Sequence, residues 1–89
     1  MNAQASVTTE QRSVDSIIGR NVDFLIWHAR EKKSVAAAGL GISPQSLSQK
    51  LNGLRPWTAT EIQAAARRYR VKIDDLFQPK LPGLDSNQE

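Results

Sequence analysis

The chain contains no cysteine and a single histidine, His28. The missing thiols exclude disulfide bonds and cysteine-based zinc sites, and one imidazole cannot build a histidine-rich metal site. No apolar run approaches the ~18 residues of a membrane-spanning helix, and the polar stretch 1–12 lacks the apolar segment of a secretory signal. We therefore expect no membrane association, no metal and no cofactor. The 89 residues suffice for one small domain.

Positive charge is concentrated in the middle of the chain. The formal net charge of the whole protein is only +3, but residues 30–72 contain nine basic and two acidic residues and carry +7 by themselves. The flanking stretches 1–29 and 73–89 are both net acidic. A basic segment of this kind favours a polyanionic partner, and nucleic acid is the first candidate.

Helical periodicity and capping residues predict an all-α domain, a compact bundle of four or five short helices, over residues 13–78. Residues 1–12 are expected to form a flexible N-terminal arm, and residues 79–89 a flexible C-terminal tail. Ser13 is the predicted N-cap of a first helix that begins near Val14 and ends in the charged run 30–33. Its main apolar stripe follows helical spacing and contains Ile18, Val22, Leu25 and Ala29.

Capping signals divide the remaining chain into shorter helices. Ser34 is the predicted cap of a second helix that ends between Gly39 and Gly41. Ser43 and Pro44 predict the start of a third helix, which runs to about Leu51. Thr58 and Glu61 have the spacing of a capping box that opens a fourth helix. Asp74 is the predicted cap of one final short turn.

The second and third helices, joined by a tight glycine turn, predict a helix-turn-helix. With Leu47 pointing inward as the anchor of the third helix, Gln45, Ser46, Gln49 and Lys50 are expected to face outward. A polar helix face of this kind, next to positive charge, can enter the major groove of DNA. Any single polar helix face is usually only solvated, and it is the combination with the caps, the turn and the local charge that favours DNA.

Over about two thirds of its length, the sequence resembles the Cro and lambda-repressor-like helix-turn-helix family, also called the Xre family. The segments that carry the resemblance are Gly41-Ile42-Ser43, residues 47–53 (LSQKLNG), residues 55–58 (RPWT) and the closing residues 71–77 (VKIDDLF). Pro44 and Ala36 depart from the family pattern, which usually has a base-reading polar residue at the first position and a larger aliphatic residue at the second.

The resemblance implies a five-helix bundle that binds double-stranded DNA at an operator, most often as a cytoplasmic repressor of the phage Cro or immunity-repressor type. It implies that Gln45, Ser46 and Gln49 contact base edges, and Lys50 is added to this group because it is expected to face outward. The residues expected to contact phosphates are Lys33, Ser43, Ser48, Asn52, Arg55 and Trp57. For Trp57, a place in the core and a place over the DNA backbone are equally compatible with the sequence.

Other functions are weighed against DNA binding. Catalysis is not expected, because the sequence has no glycine-rich phosphate loop and His28 has no evident partner. No small-molecule ligand is evident. Arg67, Arg68 and Arg70 are better explained by the dipole of the fourth helix than by DNA contacts. A helix-turn-helix can also serve as a protein-interaction module, as in antitoxins or accessory factors.

The first helix supports that alternative. Beyond its main stripe it carries Ile17, Phe24 and Trp27, which widen its apolar arc well beyond the roughly 100° that a surface helix needs. These three residues are the candidate protein interface. The C-terminal tail, a second copy of the chain in a weak homodimer, or another protein could cover them.

Overall fold

The computed structural model describes residues 2–79, with side chains described from Val14 onward. Five helices follow one another along this part of the chain: α1 (Asn2–His28), α2 (Lys33–Leu40), α3 (Pro44–Leu51), α4 (Ala59–Tyr69) and α5 (Ile73–Leu76). The described part contains no strand, so the all-α prediction is confirmed. The predicted C-terminal tail lies almost entirely in residues 80–89, outside the described residues. None of the helices between Asn2 and Leu76 is long and apolar enough to cross a membrane.

Helix α1 begins earlier than predicted. It starts at Asn2, so the prediction of a start near Val14 with Ser13 as the cap is wrong. Residues 2–13 contain no proline or glycine, and nothing in their backbone therefore interrupts helical hydrogen bonding. The helix ends at His28, just before the charged run.

The core is formed by all five helices, with α1 packed mainly against α3 and α5. Ile18, Val22 and Leu25 are buried as the stripe predicts, whereas Ala29 at its end is exposed. Buried side chains from the other four helices complete the cluster, and these include Ala36, Ala37, Leu40, Leu47, Leu51, Ile62, Ala65, Ala66 and Leu76. Ala36 and Ala37 are fully buried, and their small size lets α2 lie close to its neighbours.

Helices α1 and α3 approach each other closely at Gly19. A Cβ atom added at this position would lie 2.4 Å from the carbonyl oxygen of Lys50 and 2.8 Å from that of Leu51. Both obstructing atoms belong to the backbone, so they cannot move aside as a flexible side chain could. The absence of a side chain at Gly19 therefore sets how α3 sits against α1.

The predicted helix signals are partly confirmed. Ser43 Oγ accepts a hydrogen bond from Ser46 N at 3.1 Å, and the Thr58–Glu61 capping box is present. The prediction of Ser34 as a cap is wrong, because α2 already begins at Lys33 and its N-cap, Lys32, makes no side-chain hydrogen bond. Asp74 is not the cap of α5 either.

Instead, Asp75 Oδ2 accepts a hydrogen bond from Lys72 N at the start of α5. Four helix ends continue into a left-handed residue, at Arg30, Gly41, Gly53 and Arg70. The glycines at two of these positions adopt that backbone conformation without steric cost, and the arginines at the other two do not.

A buried asparagine joins α5 to α1. Asn21 Nδ2 donates hydrogen bonds to the carbonyl oxygens of Leu76 and Gln78, each at 2.8 Å. The side chain is buried, so the two bonds satisfy a polar group that would otherwise be costly to remove from water. This contact fixes α5 and the residues just after it against α1.

Candidate nucleic-acid interface

Helix α3 has one buried and one exposed face. Leu47 and Leu51, one turn apart, are buried in the core. Gln45 and Ser48 are exposed, and Ser46 and Gln49 are half-buried on the outer surface. Leu47 therefore anchors the helix as predicted, and the polar side chains of Gln45, Ser46 and Gln49 remain accessible to a partner.

These polar side chains line a shallow depression of about 520 Å³. Its other walls are Ser43, at the start of α3, and Leu54 and Arg55, in the loop that follows the helix. Arg55 Nη1 donates a hydrogen bond to Ser46 Oγ at 3.4 Å, which brings the guanidinium to the outer face of α3. The structure thus brings together two hydrogen-bonding amides, two hydroxyls and one cation.

Lys50 does not face this depression, and the prediction that it contacts bases is corrected. Its side chain is buried, and its Nζ atom donates hydrogen bonds to Pro56 O at 2.9 Å and to Glu61 Oε1 at 2.8 Å. Lys50 lies three residues after Leu47, so helical geometry places it beside the buried leucine rather than opposite it. Gln49, two residues after Leu47, lies on the outer side.

Trp57 belongs to the core, and the prediction that it contacts phosphate is corrected. The residue is buried, and its indole Nε1 donates to the carbonyl oxygen of Lys50 at 3.1 Å. Its backbone N–H is bound by Asp15 Oδ1 of α1, also at 3.1 Å. With both donors satisfied inside the protein, neither is left for a phosphate. Together with the Lys50–Pro56 bond, Trp57 ties the loop 52–57 to α3.

The remaining residues predicted to contact phosphates are exposed. Ser43 and Ser48 lie at the surface of α3, and Asn52 Nδ2 donates to Ser48 O at 3.0 Å at the end of that helix. Lys33, at the start of α2, lies 3.7 Å from Asp23, with 60% of its side chain exposed. Because this ion pair is open to solvent and therefore weak, the ammonium group of Lys33 remains available to bind a phosphate.

Residues 30–72 have no free carboxylate on their surface, because both of their acidic residues are bound internally. Glu61 pairs with Lys50, and Glu31 accepts hydrogen bonds from the guanidinium of Arg68 and, at 2.6 Å, from the hydroxyl of Tyr69. The cations of this segment outside those two pairs are all exposed, namely Arg30, Lys32, Lys33, Arg55, Arg67, Arg70 and Lys72.

The pKa directions agree with these pairings. Burial raises the pKa of Glu61, but its hydrogen bonds from Lys50 and Thr58 and the charge of Lys50 outweigh burial, and the net pKa lies below the ordinary value. The pKa of Glu31 is lowered in the same way by Arg68 and Tyr69, against the effect of burial. Burial and the bond to Glu31 raise the pKa of Tyr69 to about 12. Both glutamates therefore stay ionised at neutral pH.

The three arginines at the end of α4 have separate positions. Arg67 and Arg68 lie in its last turn, and Arg70 is its left-handed C-cap. Arg68 is bound to Glu31, so it links α4 to the segment that follows α1. Two cations in the last turn are suitably placed for the helix dipole.

The residues proposed for a protein interface have different exposures. Trp27 is 70% exposed, whereas Phe24 and Ile17 are half-buried. The rings of Phe24 and Trp27 lie with their centroids 5.8 Å apart. Phe24 and Trp27 line a second depression, of about 490 Å³, in which Arg20 and Lys33 also take part. Ile17 is not among its lining residues.

Comparison with known proteins adds no relative: no family model, no curated protein and no solved structure matches the chain. One residue of the first depression, Leu54, was not predicted from the sequence; its side chain is 74% exposed. A large apolar residue directly between Gly53 and Arg55, just after the predicted helix-turn-helix, was the available signal. The internal pairing of Lys50 was not predicted either, although its position three residues after the buried Leu47 was a signal for it.

Proposed function

We propose that the protein is a sequence-specific regulator of transcription that binds double-stranded DNA, with α3 in the major groove. The observation that carries the proposal is the outer face of α3, where Gln45, Ser46 and Gln49 lie beside Arg55 in one shallow depression. The buried side chains of Leu47 and Leu51 hold that face outward. We also propose membership of the Cro and lambda-repressor-like family and a role as a repressor in the cytoplasm of a bacterial or phage-infected cell.

The side chains of this face suit the recognition of DNA base edges rather than catalysis. A glutamine amide donates and accepts hydrogen bonds together, which matches the N6 and N7 atoms on the major-groove edge of adenine. Gln49 and Gln45 are one turn apart, so they can address neighbouring base pairs. A serine hydroxyl such as that of Ser46 adapts to either a donor or an acceptor. We therefore expect an A·T pair opposite at least one of the glutamines.

The charge of the molecule supports DNA as the partner. Both carboxylates of residues 30–72 are paired within the segment, so its exposed cations are opposed only by acidic residues outside it, such as Asp23 beside Lys33. Arg55 lies at the edge of the depression, where the phosphate backbone would run if α3 entered the groove. Lys33 and the N-terminus of α2 provide a second attachment for a phosphate.

The decisive test distinguishes residues that hold α3 against the DNA backbone from residues that recognise bases. The operator is first isolated by repeated selection from random-sequence duplexes, and binding is then measured on operator and scrambled DNA at several salt concentrations. Arg55→Ala should weaken binding to both DNAs and reduce the slope of log affinity against log salt by about 0.9 for one lost phosphate contact. Gln49→Ala should lose about 1–3 kcal/mol at one operator base pair and keep the salt slope of the parent.

Two results would contradict the proposal. If the parent protein selects no sequence and its affinity for duplex DNA does not change with salt, DNA binding is not its function. If Gln49→Ala loses the same affinity on operator and scrambled DNA, Gln49 positions the helix and does not read a base. Gln63→Ala is the matched control, because Gln63 is an exposed helical glutamine of α4 outside the depression. That variant should bind as the parent does.

A second candidate function is a protein-interaction module that uses α1. The exposed indole of Trp27 next to Phe24 favours it, since large aromatic side chains are common at protein interfaces. The same surface could mediate a weak homodimer. Sedimentation at micromolar concentrations, with the parent and Trp27→Ala compared, tests the dimer. Binding that does not depend on salt would favour a protein partner over DNA.

A further inference from the structure

Leu54 has a position that neither the fold nor the hydrogen bonds of the depression explain. Its side chain is 74% exposed, and it is the most exposed of the large apolar side chains in the described part of the chain. The residue is nevertheless held firmly, because its backbone N–H donates to Gln49 O at 2.8 Å and the preceding Gly53 adopts the left-handed conformation that closes α3. The backbone therefore places an exposed apolar side chain beside the polar groups of the depression, where an apolar group of a partner can contact it.

The neighbours of Leu54 identify what that partner is. Gln45, Gln49 and Arg55 line the same depression, so the surface combines amides, a cation and one apolar side chain. In an A·T pair, the major-groove edge presents adenine N7 and N6, then thymine O4 and the C5 methyl group of thymine. A glutamine bound to the adenine therefore has a methyl group on the far side of the same pair. This methyl is the apolar group that major-groove DNA offers.

Building on the proposed function, we propose that Leu54 contacts the C5 methyl group of the thymine that pairs with the adenine bound by Gln49. Leu54 is then a specificity-determining residue that rejects cytosine, which has no methyl group and presents an amino donor at the neighbouring position. The loop 52–57 contributes to sequence reading through Leu54 and to phosphate binding through Arg55. Its attachment to α3 through Lys50 and Trp57 keeps both side chains at the edge of the helix.

The test removes the methyl group alone. Each thymine of the selected operator is replaced in turn by deoxyuridine, which keeps all base-pairing atoms and lacks only the C5 methyl. For the parent protein, one such replacement should lower the affinity about fourfold, the effect of one buried methyl group. In Leu54→Ala the same replacement should have no effect, because the apolar partner is already absent. The coupling between the two changes is the evidence for contact.

A matched variant controls for general loss of apolar surface. Ile73→Ala removes an exposed aliphatic side chain of α5, outside the depression, and should show the same sensitivity to deoxyuridine as the parent. Circular dichroism should show both variants folded, because both side chains are exposed.

The outcomes distinguish the two proposals. If the parent binds no duplex selectively, the proposed function fails. If the parent binds its operator but no thymine replacement affects it, or if Leu54→Ala stays equally sensitive, the contact proposed for Leu54 is refuted and DNA binding stands.

Discussion

Replacing Glu61 with glutamine tests how far the buried ion pair with Lys50 stabilises the fold. The Nζ and Oε1 atoms are 2.8 Å apart, and the two side chains are only 8% and 14% exposed. A glutamine keeps an oxygen that can accept the hydrogen bond from Thr58 N, so the change removes the charge and retains the capping acceptor. The same oxygen can still accept from Lys50 Nζ, as Pro56 O does, but the ammonium of Lys50 is left in the interior without a neutralising charge.

The expected loss is large for a domain of this size. Removing one member of a buried pair costs about 3–5 kcal/mol, because the other charge is left without compensation. We expect the free energy of unfolding to fall by about 3 kcal/mol, at the lower end, since the Pro56 carbonyl still accepts from Lys50. Urea unfolding followed by far-ultraviolet circular dichroism measures this difference.

The chain offers a matched control in a second, exposed ion pair. Lys33 and Asp23 are 3.7 Å apart, with side chains 60% and 51% exposed. Asp23→Asn makes the same carboxylate-to-amide change at the surface and should cost less than about 1 kcal/mol. If Glu61→Gln and Asp23→Asn have equal effects, burial does not strengthen the Lys50–Glu61 pair and the reasoning is refuted.

The same variant predicts a specific pH dependence. The pKa of Glu61 in the folded protein lies below its ordinary value of 4.5. The stability that the carboxylate contributes is therefore fully present above the unfolded pKa and is lost as the pH falls through the folded pKa. The difference in unfolding free energy between the parent and Glu61→Gln should be constant near neutral pH and shrink below about pH 4. A difference that stays constant into strong acid would show that the charge is not its source.

Three further predictions concern backbone positions and buried polar contacts, and urea unfolding checks each. Gly19→Ala should cost about 1–3 kcal/mol, because its Cβ would meet two backbone carbonyls at the end of α3; unchanged stability would refute that close approach. Arg30→Gly should stabilise the protein by about 0.5–1 kcal/mol, because it removes the steric strain of a non-glycine residue in the left-handed conformation. Arg20→Gly, the same change within α1, is the control and should cost about 1 kcal/mol. Asn21→Asp should cost about 3 kcal/mol, since a carboxylate would face two carbonyl oxygens, and acid should restore part of the loss.

The sequence predicted those parts of the fold that local signals determine. Ser43 and Pro44 set the start of α3, and the helix runs from Pro44 to Leu51 as predicted. The Thr58–Glu61 capping box opens α4 for the same reason. Such signals act over three or four residues, so they can be identified without knowing the tertiary structure. The inward anchor Leu47 follows from helical spacing, and with it the outer face of the candidate interface.

The contacts that the sequence did not predict depend on residues far apart in the chain. Lys50 meets Glu61 only because the loop between them folds back, and Asp15 meets Trp57 across 42 residues. No periodicity specifies such a pairing. The left-handed ends at Arg30 and Arg70 were missed because the usual signal for that conformation is a glycine. Helix α2 likewise begins without a capping side chain, so the prediction of Ser34 as its cap is wrong.

The residues that hold the candidate interface and the residues that face it are different sets, and this separates their effects on binding. Changes at Glu61 or Gly19 alter the fraction of folded protein, which lowers the apparent affinity for every DNA sequence by the same factor. Changes at Gln49 or Leu54 leave the folded fraction unchanged and alter the ratio between operator and scrambled DNA. Affinity corrected for the folded fraction therefore distinguishes a residue that positions α3 from one that contacts bases, and the effects of changes at Gln49 and Leu54 should survive the correction on operator DNA alone.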